Sequence, residues 1–200
     1  MFELAPGIGR FSDRVLWPLI RLLHEGLGLG PEPVSWAAFG ASALAGVLIG
    51  SGRLVPGLAC MALGQVLDGV DGGIARRFGL ESERGRALDE WLDRASEAAI
   101  FAGFAYAGLA PAKLVALAFT AILLLTTVAH RSGVDPGVKR FALYFGRWIS
   151  YPHLFMLIFG VNLLGYVVGM LVIDCAFQKK MDALGGDLDT VASRAAASER

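Results

Sequence analysis

Charge is scarce in this 200-residue chain: Asp, Glu, Lys and Arg make up only 18% of it, with 18 basic and 18 acidic residues balancing to zero. A soluble domain ordinarily carries about 25% charge. Without a basic excess nothing points to a nucleic-acid partner. Cysteine is nearly missing as well. Cys60 and Cys175 both sit in apolar stretches without metal-ligand spacing, which reads as two small buried hydrophobes rather than a disulfide. The first residues alternate polar and apolar with no small-residue cleavage site behind an apolar core, so no signal peptide is expected. Internal repeats are absent too. What fills the chain is apolar: 55% hydrophobic residues and a mean hydropathy of +0.57. The expectation is one all-α, polytopic membrane domain.

A spanning helix needs roughly 20 mostly apolar residues. Six such stretches are expected, at about 34–51, 54–78, 85–108, 111–130, 140–159 and 161–178. The breaks fall at Gly50-Ser51-Gly52, Ala110-Pro111, Asp135-Pro136-Gly137 and Gly160. One set of loops and ends holds most of the basic residues, among them Arg76, Arg77, Arg84, Arg86, Lys139 and Arg140, whereas the opposite set holds only Arg53 and Lys113. The positive-inside rule then places both termini in the cytoplasm, with the chain in the cytoplasmic (inner) membrane. Residues 8–28 mix Phe11, Trp17 and Ile20 with Arg10, Asp13 and Arg14, the pattern of an amphipathic helix lying in the interface. The expected organisation is an interfacial segment over 1–33, a transmembrane catalytic domain over 34–180 and a mobile tail over 181–200.

Four carboxylates contradict the apolar background. Asp68 and Asp71 fall in the second stretch, Asp89 and Asp93 in the third. A charge in a spanning helix costs about 2.5–3.5 kcal/mol on insertion scales, so these four face protein or water. Residues three or four apart share a helix face, and the two pairs flank one short basic loop, so they can meet at one depth. Close carboxylates repel by about 4 kcal/mol per pair at an intermediate dielectric. Two hard cations with oxygen ligands, Mg²⁺ or Mn²⁺, would relieve that repulsion and could hold phosphate oxygens. The plainer reading is that the acids pair with Arg76, Arg77, Arg84, Arg86 and Arg94 to fix the bundle, but salt bridges would not require the glycines among them.

Those glycines complete a pattern. Asp68, Asp71, Gly72, Ala75 and Arg76, then eight residues, then Gly85, Asp89 and Asp93 spell DxxDGxxAR…GxxxDxxxD. This resembles the signature of the CDP-alcohol phosphatidyltransferase family at every specified position. The resemblance implies that Asp68, Asp71 and Asp89 bind two metal ions, with Asp93 near the second and acting also as general base. It implies a nucleotide site at Asp68, Gly72, Ala75, Arg76 and Gly85. The implied reaction moves a phosphatidyl group from a CDP-diacylglycerol-type lipid to a small alcohol, releasing CMP. Small residues let a nucleotide approach the backbone, and Arg76 offers a fork of donors to a diphosphate. Glu32 departs from the family, which often has Asn at that point. Members often form homodimers, though no interface signal is visible here.

For the acceptor, Arg131, Lys139, Arg140 and Arg147 cluster around the fifth stretch, as a phosphorylated alcohol would need. Leu92-Asp93-Arg94-Ala95-Ser96-Glu97 resembles the prokaryotic inositol-phosphate-using branch, with glycerol 3-phosphate or serine as alternatives. A membrane prenyltransferase or an Asp-lined cation transporter would also place acids among apolar helices, but neither needs this glycine spacing. His130, His153, Trp91 and Trp148 read as interfacial or packing residues.

Overall fold

A computed structural model describes residues 15–198, with side chains described as far as Met181. The interfacial-helix residues Phe11, Arg10, Asp13 and Arg14, and residues 199–200 of the tail, lie outside that range.

The described chain is helical. A short helix α1 (Trp17–Arg21) runs into a wider π turn over Leu22–Gly26, and five long helices follow: α2 (Pro31–Gly50), α3 (Leu54–Phe78), α4 (Glu83–Tyr106), α5 (Ala112–Ser132) and α6 (Tyr151–Ser198). Between α5 and α6 the chain makes a tight 3-10 helix over Arg140–Arg147. Local chemistry sets the boundaries. Proline at the first position starts α2, where its missing N–H costs nothing. Gly79 and Gly133, both left-handed, end α3 and α5 behind basic last turns. Ser82 caps α4 by accepting the Gly85 N–H at 3.0 Å.

Of the six apolar spanning helices expected, four are long and apolar enough to cross a bilayer: α2, α3, α5 and the Tyr151–Met181 part of α6. Two expectations need correcting. The third stretch does form a helix, but α4 carries too many charged residues to meet that apolar standard. The stretches at 140–159 and 161–178 are not two helices divided at Gly160. Gly160 lies inside continuous α6, and no atom stands within 4 Å of where its Cβ would be. The real break is earlier. Gly137 turns left-handed, and Pro152 sits in the first turn of α6, where a proline can start a helix but not lie deep within one. Residues 136–147 run back along α6. Pro136 touches Gly165, the Asn162 amide donates to the Val138 carbonyl at 2.7 Å, and Gly146 lies against Tyr151.

Small residues hold the bundle together. A Cβ on Gly46 would overlap the Ala99 carbonyl, and one on Gly103 would overlap the Gly46 carbonyl, so α2 and α4 touch backbone to backbone. On the other side of α2, Gly64 meets Ser42 and the Ala38 carbonyl, and Gly57 meets Ile49. Lipid removes the hydrophobic drive between helices, so close backbone approach of this kind is what packs them. α3 and α4 each pack closely on α2 rather than on one another, and a wedge stays open between them at the end bearing the aspartates. At the opposite end the wedge is filled by Met61, Ile100, Phe101, Phe104, Tyr151 and Phe155.

The N-terminal segment is covered by protein on one face. Ile20 is buried with Val34, Val70 and Ile74, and the Arg77 guanidinium lies 4.4 Å from the centre of the Trp17 ring. Trp91 and Trp148 project outward. Cys60 and Cys175 are free thiols, and Cys175 is exposed on α6 rather than buried as expected.

Replacing Gly46 with Val should destabilise the bundle by about 1–3 kcal/mol or more, because rigid backbone must move. Gly40→Ala, with open space at its Cβ, should be neutral or slightly stabilising. Thermal unfolding in detergent distinguishes the two.

Candidate active site

α3 and α4 bring the acidic residues together from opposite sides of the wedge. Asp68 and Asp71 lie on the last turns of α3, and Asp89 lies two turns into α4. One carboxylate oxygen from each of Asp68, Asp71 and Asp89 lies within 4.8 Å of the others. Asp71 is buried, and its Oδ2 has no hydrogen-bond partner among the described residues. An orphaned buried carboxylate oxygen inside a triplet of acids is costly for the protein alone. Hard oxygen donors at that spacing suit a divalent cation such as Mg²⁺ or Mn²⁺.

Beside the triplet opens a cavity of about 930 Å³. Gly72, Ala75 and Arg76 line it from α3, and Gly85, Arg86 and Asp89 from α4. Glu32, at the start of α2, lines it too. Two of the glycines are closely approached by neighbouring side chains. A Cβ on Gly72 would come 2.9 Å from an Arg76 guanidinium nitrogen, and one on Gly85 would press on the Ser82 capping hydroxyl at 3.0 Å. Glycine at 72 lets Arg76 fold back along α3 toward the cavity.

Asp93 is not part of the triplet. It belongs to a second charge system one turn further along α4. Arg94 donates to Asp93 Oδ2 at 2.9 Å and to Glu97 Oε2 at 2.6 Å. Arg140, from the 3-10 helix, donates to Asp93 Oδ1, and its Nε lies 4.0 Å from Glu97 Oε1. Two cations and two anions thus close a nearly buried ring. From the next turn of the 3-10 helix Tyr144 donates to Gln65 of α3 at 2.9 Å.

The four basic residues read as an acceptor cluster are divided. Arg140 reaches Asp93, and neighbouring Lys139 is half-buried and pairs with Asp135 at 3.3 Å. Arg131 is exposed in the last turn of α5. Arg147 is exposed at the far end of the 3-10 helix, roughly 14 Å along the segment from Arg140, beside the start of α6. His130 sits 2.8 Å from Arg86, and His153 pairs with Ser150 at 2.6 Å, both apart from the triplet.

Glu97 escaped sequence reasoning, although a signal was there. Asp89, Asp93 and Glu97 follow one another at intervals of four, a single stripe on α4.

Residues 34–178 match the family CDP-alcohol phosphatidyltransferase, and the chain belongs to that family. With four helices able to cross a bilayer, it is an integral membrane protein. It is 38% identical over 102 residues to the phosphatidylinositol phosphate synthase of Streptomyces avermitilis, covering 49% of this chain and 41% of that protein. It is 40% identical over 77 residues to the bifunctional IPC transferase and DIPP synthase of Rubrobacter xylanophilus, covering 38% of this chain and 18% of that protein. The chain therefore spans less than half the length of these curated relatives.

Mn²⁺ should raise the melting temperature of the protein, and Asp71→Asn should remove most of that rise. In cation-free buffer Asp71→Asn should melt higher than the parent, because one of three mutually repelling charges is gone. Differential scanning fluorimetry with and without chelator reads both effects.

Proposed function

We propose that this chain transfers a phosphatidyl group from a CDP-linked lipid such as CDP-diacylglycerol to a phosphorylated alcohol, with CMP as leaving group. The observation that carries this reading is the convergence of Asp68, Asp71 and Asp89 beside a cavity lined by Gly72, Ala75, Arg76 and Gly85. The cavity has room for a nucleotide, and small residues on both helices let a diphosphate approach the backbone.

The triplet would hold two divalent cations, Mg²⁺ or Mn²⁺, with Asp93 nearest the second. When bound, such ions neutralise the diphosphate and polarise the lipid-linked phosphorus. Arg76 presents its guanidinium to the same diphosphate. Asp93 is the general base, its carboxylate oriented by Arg94 and Arg140. It takes the proton from the acceptor hydroxyl as that oxygen bonds to the lipid-linked phosphorus. The bond from this phosphorus to the oxygen bridging the two phosphates breaks, and CMP leaves with that oxygen. Arg140 and Lys139 are the acceptor-facing cations, with Arg131 at the rim. Arg147 would act there only if the acceptor reached the far end of the 3-10 helix.

The acceptor is inositol phosphate in this reading, supported by the name of the Streptomyces relative and by the basic residues next to Asp93. The basic loops that flank the aspartates support a site, and both termini, on the cytoplasmic side of the inner membrane.

CMP or CDP in the presence of Mn²⁺ should raise the melting temperature, and a prenyl diphosphate should not. Asp93→Asn should abolish CMP release from CDP-diacylglycerol while keeping the nucleotide shift, since the triplet is intact. Turnover by Asp93→Asn would overturn the base assignment. Replacing Arg140 with Gln should raise the acceptor KM on the order of tenfold or more, read in a CMP-release assay over a range of inositol phosphate.

A further inference from the structure

Glu97 is fully buried in the interior of α4, yet no role in binding or chemistry falls to it. A buried glutamate in an apolar bundle is retained only against a steep desolvation cost. Its surroundings suggest why it is there. Arg94 is tied at both ends, to Asp93 and to Glu97 one turn below, by residues of its own helix. Arg140 comes from a separate element, donates to the other oxygen of Asp93, and stands at the longer 4.0 Å from Glu97. The ring of Asp93, Arg94, Glu97 and Arg140 balances two positive against two negative charges only because Glu97 is present.

We propose that Glu97 is a positioning residue. It fixes Arg94 on Asp93, so that Arg140 is free to exchange from Asp93 to the anionic group of the acceptor. The inference rests on the proposed transfer reaction. With Glu97 in place, departure of Arg140 leaves Asp93 still oriented by Arg94, and Arg94 still anchored from below. Without it, two guanidiniums share a single carboxylate in a nearly buried site. Both are then drawn onto Asp93, which holds Arg140 back from the acceptor and covers the oxygen that must receive the proton. The acceptor's negative charge thus becomes a requirement for uncovering Asp93. A neutral alcohol offers nothing to draw Arg140 away.

The test uses the full-length protein in detergent, with CDP-diacylglycerol, Mn²⁺ and inositol phosphate, and CMP release as readout. Glu97→Gln should keep CMP affinity within about twofold, lower kcat at least tenfold and raise the acceptor KM. Glu97→Asp, which restores the charge one methylene shorter, should recover a measurable part of kcat. Glu97→Gln/Arg140→Gln, charge-balanced again, should recover kcat relative to Glu97→Gln while keeping the raised KM. If Glu97→Gln does not fold, the aspartate and double variants carry the same comparison against the parent. The inference alone is overturned if Glu97→Gln turns over normally, if CMP affinity falls in step with kcat, or if Glu97→Asp is no better than Glu97→Gln. A parent protein that binds CMP but releases none from the lipid overturns the transfer reaction, and this inference with it.

Discussion

Close backbone approach to α2 is the constraint on which the rest of this molecule depends. Gly46 and Gly103 bring α4 against one side of α2, while Gly57 and Gly64 bring α3 against another. Two helices held on a third in this way diverge from each other, and the wedge between them becomes the cavity. The aspartates occupy the mouth of that wedge because one pair lies toward the end of α3 and the other toward the start of the α4 that follows it, and Met61, Phe101 and Phe104 close the other end. A bilayer supplies no hydrophobic force to draw the helices together, so the loss of a few small residues would dismantle the site without touching an acidic side chain.

The site divides into two electrostatic systems of opposite character. The Asp68, Asp71 and Asp89 triplet has an excess of negative charge and a buried oxygen without a hydrogen-bond donor, so it is suited to cations from outside the chain. The ring around Asp93 is closed on itself by two arginines and Glu97. The short 3-10 helix joins the second system to the first. It places Arg140 beside Asp93 and Tyr144 beside Gln65, one turn before Asp68 on α3. Its tighter winding serves that purpose: at three residues per turn Arg140 and Tyr144 stand about 120° apart and reach two different helices, whereas an α-helix would stack them on nearly one face.

Much of the site was legible in the chain because its chemistry is local. The spacing of Asp68, Asp71, Gly72, Ala75 and Arg76 fixes one helix face, and Gly85 with Asp89 fixes another, whatever surrounds them. The loop of Gly79 to Ser82 is too short to let the two faces part widely. The span count was less legible. Hydropathy sees an unbroken apolar run after residue 141, and it weighs neither the left-handed Gly137 nor the proline at 152 against the glycine at 160.

The residues by themselves therefore determined an all-helical membrane chain, the family signature and the acids it carries, because each follows from composition or from spacing within one helix. Only the tertiary structure decided which acids meet. It set Asp93 apart from the triplet, brought Arg140 to it across 47 positions, left Arg147 at the far end of its segment and buried Glu97 as the ring's second anion. Those outcomes depend on how separate helices approach one another, which small residues permit but no local pattern specifies.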